Sequence, residues 1–241
     1  ESLYRSAAEK FLQLEDYVSY AGVHINISGV YVELAQMHSG QEAIDYLHQA
    51  DDACHVSIEY RNADDHAHDY AVLQDNHGGV HLDLAWLENF EENIQLAIEA
   101  RLESSAIFEQ RGEMHDYGIT EGHLALIYSE YASKLEGHKR IAKLQEAERH
   151  YRNALEHIDR DAELTQYAYF TVNLANVVSK LGNASEDRSK KLRYLKESIT
   201  LHENAIRYMK EDTHPEGRFT AINNMALDYY HLAKVENPPH N

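Results

Sequence analysis

The chain has 241 residues, of which 43% are hydrophobic, enough for a folded core and too many for a disordered segment. Forty-one acidic residues against 22 basic ones leave a formal charge of −19, which repels a nucleic-acid backbone and anionic lipid alike. One cysteine excludes an intrachain disulfide framework, and no apolar run is long enough to span a bilayer. A cytoplasmic protein without nucleic-acid or membrane partners is therefore expected. Its acidity favours neutral or basic partners. Protonating all 17 histidines would move the charge from −19 to −2, so a response to pH is conceivable.

Three prolines, two of them near the C-terminus, leave the chain free to form long helices. Ser2 to Leu14 puts Leu3, Ala7, Ala8, Phe11 and Leu12 on one helical stripe. It reads as the second helix of a pair whose first member is missing. With Glu1 in place of an initiator methionine, the chain is expected to be part of a longer one. Tyr17 to Met37 follows, with Val23, Ile27, Val30, Tyr31 and Leu34 as its apolar face. His38-Ser39-Gly40 then turns the chain into Gln41 to Arg61, where Ala43, Leu47, Ala50 and Cys54 recur at helical spacing. Asp64 to Phe90 is the next helix. His77-Gly78-Gly79 should kink or break it, because two glycines forfeit roughly 2 kcal/mol of helix propensity relative to alanine. Glu91 to Gln110 pairs with it and ends at Gly112. Tyr117 to Leu135 and His138 to Ile158 form a third pair divided at Gly137. Leu164 to Leu181, stopped by Gly182-Asn183, and Glu186 to Met209 form a fourth. His214-Pro215-Glu216-Gly217 breaks the chain before a last helix, Gly217 to Val235, and the tail Asn237-Pro238-Pro239-His240-Asn241 cannot extend it. No strand-like alternation competes, so the fold class is all-α with about ten helices.

The chain also repeats itself. NLANVVSKL at Asn173 is echoed by NMALDYYHL at Asn224, 51 residues later. Aligning the first helices of the pairs brings together Asn26-Ile27, His81-Leu82, His123-Leu124, Asn173-Leu174 and Asn224-Met225, at spacings of 55, 42, 50 and 51. Near His81, Leu84-Ala85 fits almost as well. Small residues follow at Ser28, Ala125, Ala175 and Ala226, and aromatics at Tyr31, Trp86, Tyr128 and Tyr229. Second helices carry Ala43/Leu47/Ala50, Ala147/Tyr151/Ala154 and Ser198/His202/Ala205. The units lie near 17–61, 64–110, 117–158, 161–209 and 217–235, within one helical-repeat domain over 1–241.

This alternation of large, small and aromatic positions on paired helices resembles the tetratricopeptide repeat (TPR), although the family's usual unit is about 34 residues. The longer period is similar to the arrays that accompany caspase-like CHAT protease domains. There His214-Pro215-Glu216 with Asn223-Asn224-Met225-Ala226 matches, as does Asn173-Leu174-Ala175 with Arg193 to Ile199 downstream. The resemblance implies a right-handed superhelical solenoid of antiparallel helix pairs whose first helices line a concave surface. It implies a protein–protein interaction scaffold or adaptor, not an enzyme, that needs no cofactor. Such a scaffold would bind a peptide segment or partner domain and possess the means to regulate a linked or associated protease or effector. A peptide-sensing regulator is a further option within the same resemblance.

The resemblance also places Asn26, His81, His123, Asn173 and Asn224 on the inner face, with Tyr128, Asn176 and Tyr230 beside them. There a side-chain amide can hold a ligand backbone by paired donor and acceptor bonds. The competing role for the same residues is to satisfy helix backbone groups or face water.

A different reading starts from Asp64, Asp65, His66, His68, Asp69, His77 and His81, a density of imidazoles and carboxylates suited to a metal-binding protein or metal-dependent helical enzyme. His66, His68 and Asp69 are its candidate ligands, but residues two apart on a helix diverge and no HExxH or CxxC motif accompanies them. Cys54-His55 is no nucleophile–base pair, because neighbours on a helix point about 100° apart. Cys54 should be a small inert hydrophobe. Trp86 and most tyrosines are expected to pack between helices.

Overall fold

The computed structural model describes residues 2–209 and 215–237. These form ten α-helices in chain order: α1 (Ser2–Gln13), α2 (Tyr17–Met37), α3 (Gln41–Tyr60), α4 (Ala63–Ala85), α5 (Phe90–Arg111), α6 (Met114–Ser133), α7 (Gly137–His157), α8 (Leu164–Ala184), α9 (Arg188–Tyr208) and α10 (Pro215–Glu236). No strand occurs among the described residues. His214 and residues 238–241, which carry part of the expected break and tail, lie outside them. None of the described helices is long and apolar enough to cross a membrane.

Local chemistry sets the helix ends. Asp16, Asn62 and Asp187 accept hydrogen bonds from the first free backbone N–H groups of α2, α4 and α9. Gly112 closes α5 with φ of 70°, a left-handed conformation that costs glycine little. Pro215 opens α10, where a missing N–H is harmless.

The chain divides into two compact units, Glu1–Glu113 and Met114–Asn241. In the first, α1 packs on α2, and the hairpins α2/α3 and α4/α5 stack through α3 and α4. In the second, the hairpins α6/α7 and α8/α9 stack through α7 and α8, and α10 packs on α9. Within each unit, consecutive helices thus pack on one another as in a helical solenoid.

Burial reveals a more regular repeat than the anchors do. Along the second helices, Leu47, Ile94, Leu144 and Leu195 are all buried, at spacings of 47, 50 and 51 residues. Ala50, Ala97, Ala147 and Ser198 keep the same register, as do Cys54, Arg101, Tyr151 and His202. Along the first helices, Ile27-Ser28, His77-Gly78, Leu124-Ala125 and Leu174-Ala175 correspond, at spacings of 50, 47 and 50 residues. The alignment through His81 therefore corrects by four residues. His81 shares its register with the buried Tyr31 and Tyr128, and the residue before the anchor in α4 is the exposed Asn76.

The break expected at His77-Gly78-Gly79 is absent. α4 runs through both glycines, and its one non-helical residue is His66, with φ −135° and ψ 45°. The glycines serve close approach instead: a Cβ on Gly78 would sit 2.7 Å from Cγ of Arg101 and 3.0 Å from the Ala97 carbonyl oxygen. The buried Arg101 guanidinium crosses that space to Asp75, 3.4 Å away. Tertiary packing outweighs the propensity penalty. Gly182 likewise lies inside α8, against Tyr194, and the helix ends two residues later at Ala184. Trp86 caps the C-terminal end of α4, nearly half exposed, and meets Phe90 edge-on.

The same device operates between α6 and α8, where a Cβ on Gly122 would overlap the fully buried Phe170 ring. Alanine at 122 gains about 1 kcal/mol of helix propensity, but displacing a core ring costs about 1–3 kcal/mol or more. Gly122→Ala is accordingly expected to lower the urea midpoint, and Phe170→Leu in the same chain to restore part of the loss. A Gly122→Ala chain as stable as the parent would contradict this packing.

Candidate functional site

The first helices were expected to carry the recognition residues, and the two units treat them differently. In the first unit, Asn26 is exposed and donates its Nδ2 to the Gly22 carbonyl of its own helix at 3.3 Å. His81 is buried, with its Nδ1 3.0 Å from Asn93 Oδ1. Neither is directed at a common surface. A cleft of about 340 Å³ opens instead between α1, α2 and α3, lined by Arg5, Tyr20, His24, Tyr31 and Asp52. Arg5 donates to the Tyr31 hydroxyl at 2.6 Å. Burial and the neighbouring Arg5 hold the His24 imidazole below its usual range.

In the second unit, Tyr128 is a core residue, its ring stacked on His150 with centroids 5.3 Å apart. His150 in turn meets Glu121 at 2.8 Å, with both side chains buried. His123 touches Phe170 edge-on. The remaining four residues lie on α8 and α10. Asn224 donates to Asn176 Oδ1 at 2.8 Å, which joins the two helices through side-chain amides. Asn173 lies beside the Tyr151 hydroxyl. Yet neither its Nδ2 nor that hydroxyl completes a hydrogen bond among the described residues. A buried amide donor without an acceptor is costly and is normally retained for a reason. Tyr230 is half exposed on α10, with the Lys234 ammonium over its ring. At 100° per residue, Phe219, Ile222, Leu227 and Tyr230 share the face opposite the buried Ala221, Asp228 and Leu232, and all four are exposed.

The candidate metal ligands do not converge. Asp69 accepts from Arg61 at 2.8 Å and His68 pairs with Glu113 at 2.9 Å. His77 and His81 turn away from this segment towards α3, where Asp51 and His55 lie. Sequence reasoning grouped histidines by proximity along the chain. Their partners lie 22 to 30 residues earlier, across a helix boundary.

The buried position shared by Cys54, Arg101, Tyr151 and His202 holds four different chemistries. His202 lies against Asp228, 3.7 Å away, with neither ring nitrogen hydrogen-bonded. Burial holds its imidazole below the ordinary range, against the opposing pull of the Asp228 carboxylate. Asp228 instead accepts from Ser198 at 2.5 Å and from Ser179. Both hydroxyls thus lie directly on the carboxylate.

No protein-family model matches the chain, and no curated protein sequence matches it.

Cys54 is buried, its sulfur 3.2 Å from Ser28 Oγ. Burial, aided by the Asp51 carboxylate, pushes its thiol up to about 11. The thiolate is the reactive form, so the folded protein should resist a thiol-specific disulfide reagent at pH 8 and react promptly in urea. An exposed thiol titrates lower, so this site's contribution to stability is complete below the unfolded value and disappears as pH rises through the folded one. Rapid labelling of the folded chain at pH 8 would show that Cys54 is accessible.

Proposed function

We propose that the chain is an interaction scaffold of the tetratricopeptide type that holds a protein segment of neutral or basic character and has no chemistry of its own. The observation that carries this reading is the Asn176–Asn224 amide pair that joins α8 to α10, the helices on which four of the expected recognition residues lie. The adjoining exposed stripe of Phe219, Ile222, Leu227 and Tyr230 supplies apolar and aromatic contact of the kind interfaces favour. The formal charge of −19 selects against acidic segments and speeds encounter with basic ones. Control of a linked or associated protease or effector extends this reading through the CHAT-type resemblance.

A displayed peptide library panned on the purified chain should enrich neutral or basic segments whose binding weakens with salt. Against an enriched peptide, Asn173→Ala/Asn224→Ala should raise Kd by about 5- to 30-fold, the loss of one or two hydrogen bonds at about 1–2 kcal/mol overall. Enrichment of acidic segments, or a double variant that binds as the parent does, would overturn the assignment.

A further inference from the structure

His77 occupies a position where α2, α6 and α8 carry the aliphatic anchors Ile27, Leu124 and Leu174. An imidazole there forfeits apolar burial and demands a polar partner. It finds one across the boundary between the two hairpins of the first unit, with Nε2 2.6 Å from Asp51 Oδ1 on α3. Asp51/His55 on α3 and His77/His81 on α4 are both i, i+4 pairs, so each helix presents two side chains on one face.

The three imidazoles gather on one oxygen. Nε2 of His77, His81 and His55 lies 2.6, 3.5 and 3.7 Å from Asp51 Oδ1. The Nε2 atoms of His77 and His81 are 3.1 Å apart. A tetrahedral ion bound at about 2.05 Å holds its donor atoms about 3.3 Å from one another. Asp51, His55 and His77 offer ligand atoms that all lie within 4.8 Å of one another. His81 meets Asp51 and His77 at near that edge length, so the exposed His55 must swing inward for all four to share one ion. Hydrogen bonds from His77 to Asp51 and between His77 and His81 account for the two shortest contacts. They do not account for His55, which faces the same oxygen beyond hydrogen-bond reach.

The surroundings prepare these groups as ligands. Asn93 donates its Nδ2 to the Glu88 carbonyl at 3.1 Å, which turns its Oδ1 towards His81 Nδ1 at 3.0 Å. His81 then carries its proton on Nδ1 and presents the Nε2 lone pair inward, the arrangement that orienting partners impose on metal-bound histidines. His77 and His81 are 11% and 7% exposed, whereas His55 is 63% exposed at the mouth of a cleft of about 250 Å³. Glu99 and Glu103 line that cleft and favour entry of a cation.

The geometry points to a binding site for one divalent transition ion of the zinc class, held by Asp51, His55, His77 and His81. The nitrogen and oxygen donors suit Zn²⁺ and its neighbours over Ca²⁺ or Mg²⁺. Bound there, the ion fastens α3 to α4 and so locks the first hairpin to the second. Peptide recognition on α8 and α10 is independent of it.

The test uses tag-free, chelator-stripped chain titrated with Zn²⁺ by calorimetry and with Co²⁺ by visible absorption. One equivalent of Zn²⁺ should bind and raise the melting temperature in proportion to its logarithmic excess over Kd. Co²⁺ should give the intense bands of a four-coordinate site. The exposed His55→Ala and the isosteric Asp51→Asn should each weaken Zn²⁺ by more than about 10-fold, and Asn93→Ala by about 10-fold through ligand orientation. His66→Ala/His68→Ala should change nothing. Far-UV circular dichroism of each variant separates lost ligation from lost folding. Absence of saturable Zn²⁺ binding and of Co²⁺ bands, or binding that survives His55→Ala and Asp51→Asn in folded protein, would reduce the cluster to a hydrogen-bonded histidine–carboxylate group. Loss of binding in the His66/His68 variant would place the ion elsewhere.

Discussion

Close approach of helices within and between hairpins is the constraint on which the remaining structure depends. No hairpin of this length buries its own apolar faces, so each must lie against the next. The second helices solve this with small residues in each unit, at Ala50, Ala97, Ala147 and Ser198 and again at Ser57, Ser104, Ala154 and Ala205, all of them fully buried. The first helices match it with Ser28, Gly78, Ala125 and Ala175. Large side chains then fill what the small ones leave open. Phe170 over Gly122 and Arg101 over Gly78 are the two tightest examples. A void or an overlap at any of these points is felt along the stack, because protein interiors are packed as densely as organic crystals.

The same tight packing makes polar groups in the core informative. Burying a charge costs several kcal/mol unless it is paired, so a buried charge survives only with a partner. Arg101 has Asp75 beside it, and Glu121 has His150, Asn153 and the stacked Tyr128 around it. These groups are satisfied internally and read as parts of the scaffold. Others stand out from that pattern. The Asn173 amide and the His202 ring nitrogens complete no hydrogen bond among the described residues. His77 stands in an aliphatic register and draws two further imidazoles onto one carboxylate. Departures from an otherwise uniform pattern concentrate where a chain does something besides fold.

The two kinds of site also differ in how they relate to the repeat. The Asn176–Asn224 pair joins residues about one repeat apart, so it uses the periodicity of the stack. Among the described residues the histidine cluster belongs to the boundary of α3 with α4. At the register of His55, α5, α7 and α9 carry Leu102, Arg152 and Glu203, and at that of His77, α2, α6 and α8 carry Ile27, Leu124 and Leu174. The first is a general property of stacked hairpins and the second belongs to a single junction.

The sequence by itself determined the helices, their pairing and most of the core. Stripes at spacings of three and four name Leu47, Ala50, Tyr151, Ala154 and Leu174, and every one is buried, because amphipathic periodicity is a local property of the chain. What the glycines do was not legible, since a Gly-Gly pair signals a break only when nothing packs against it. Arg101 decides the matter at Gly78 from 23 residues away. The register of α4 was hidden for a related reason, because its anchor is a histidine and the pattern looks for an aliphatic side chain. The ligand-like convergence of Asp51 and His55 with His77 and His81 depended wholly on tertiary structure. Two i, i+4 pairs are visible in the sequence, but only the stacking of α3 on α4 turns them to face each other.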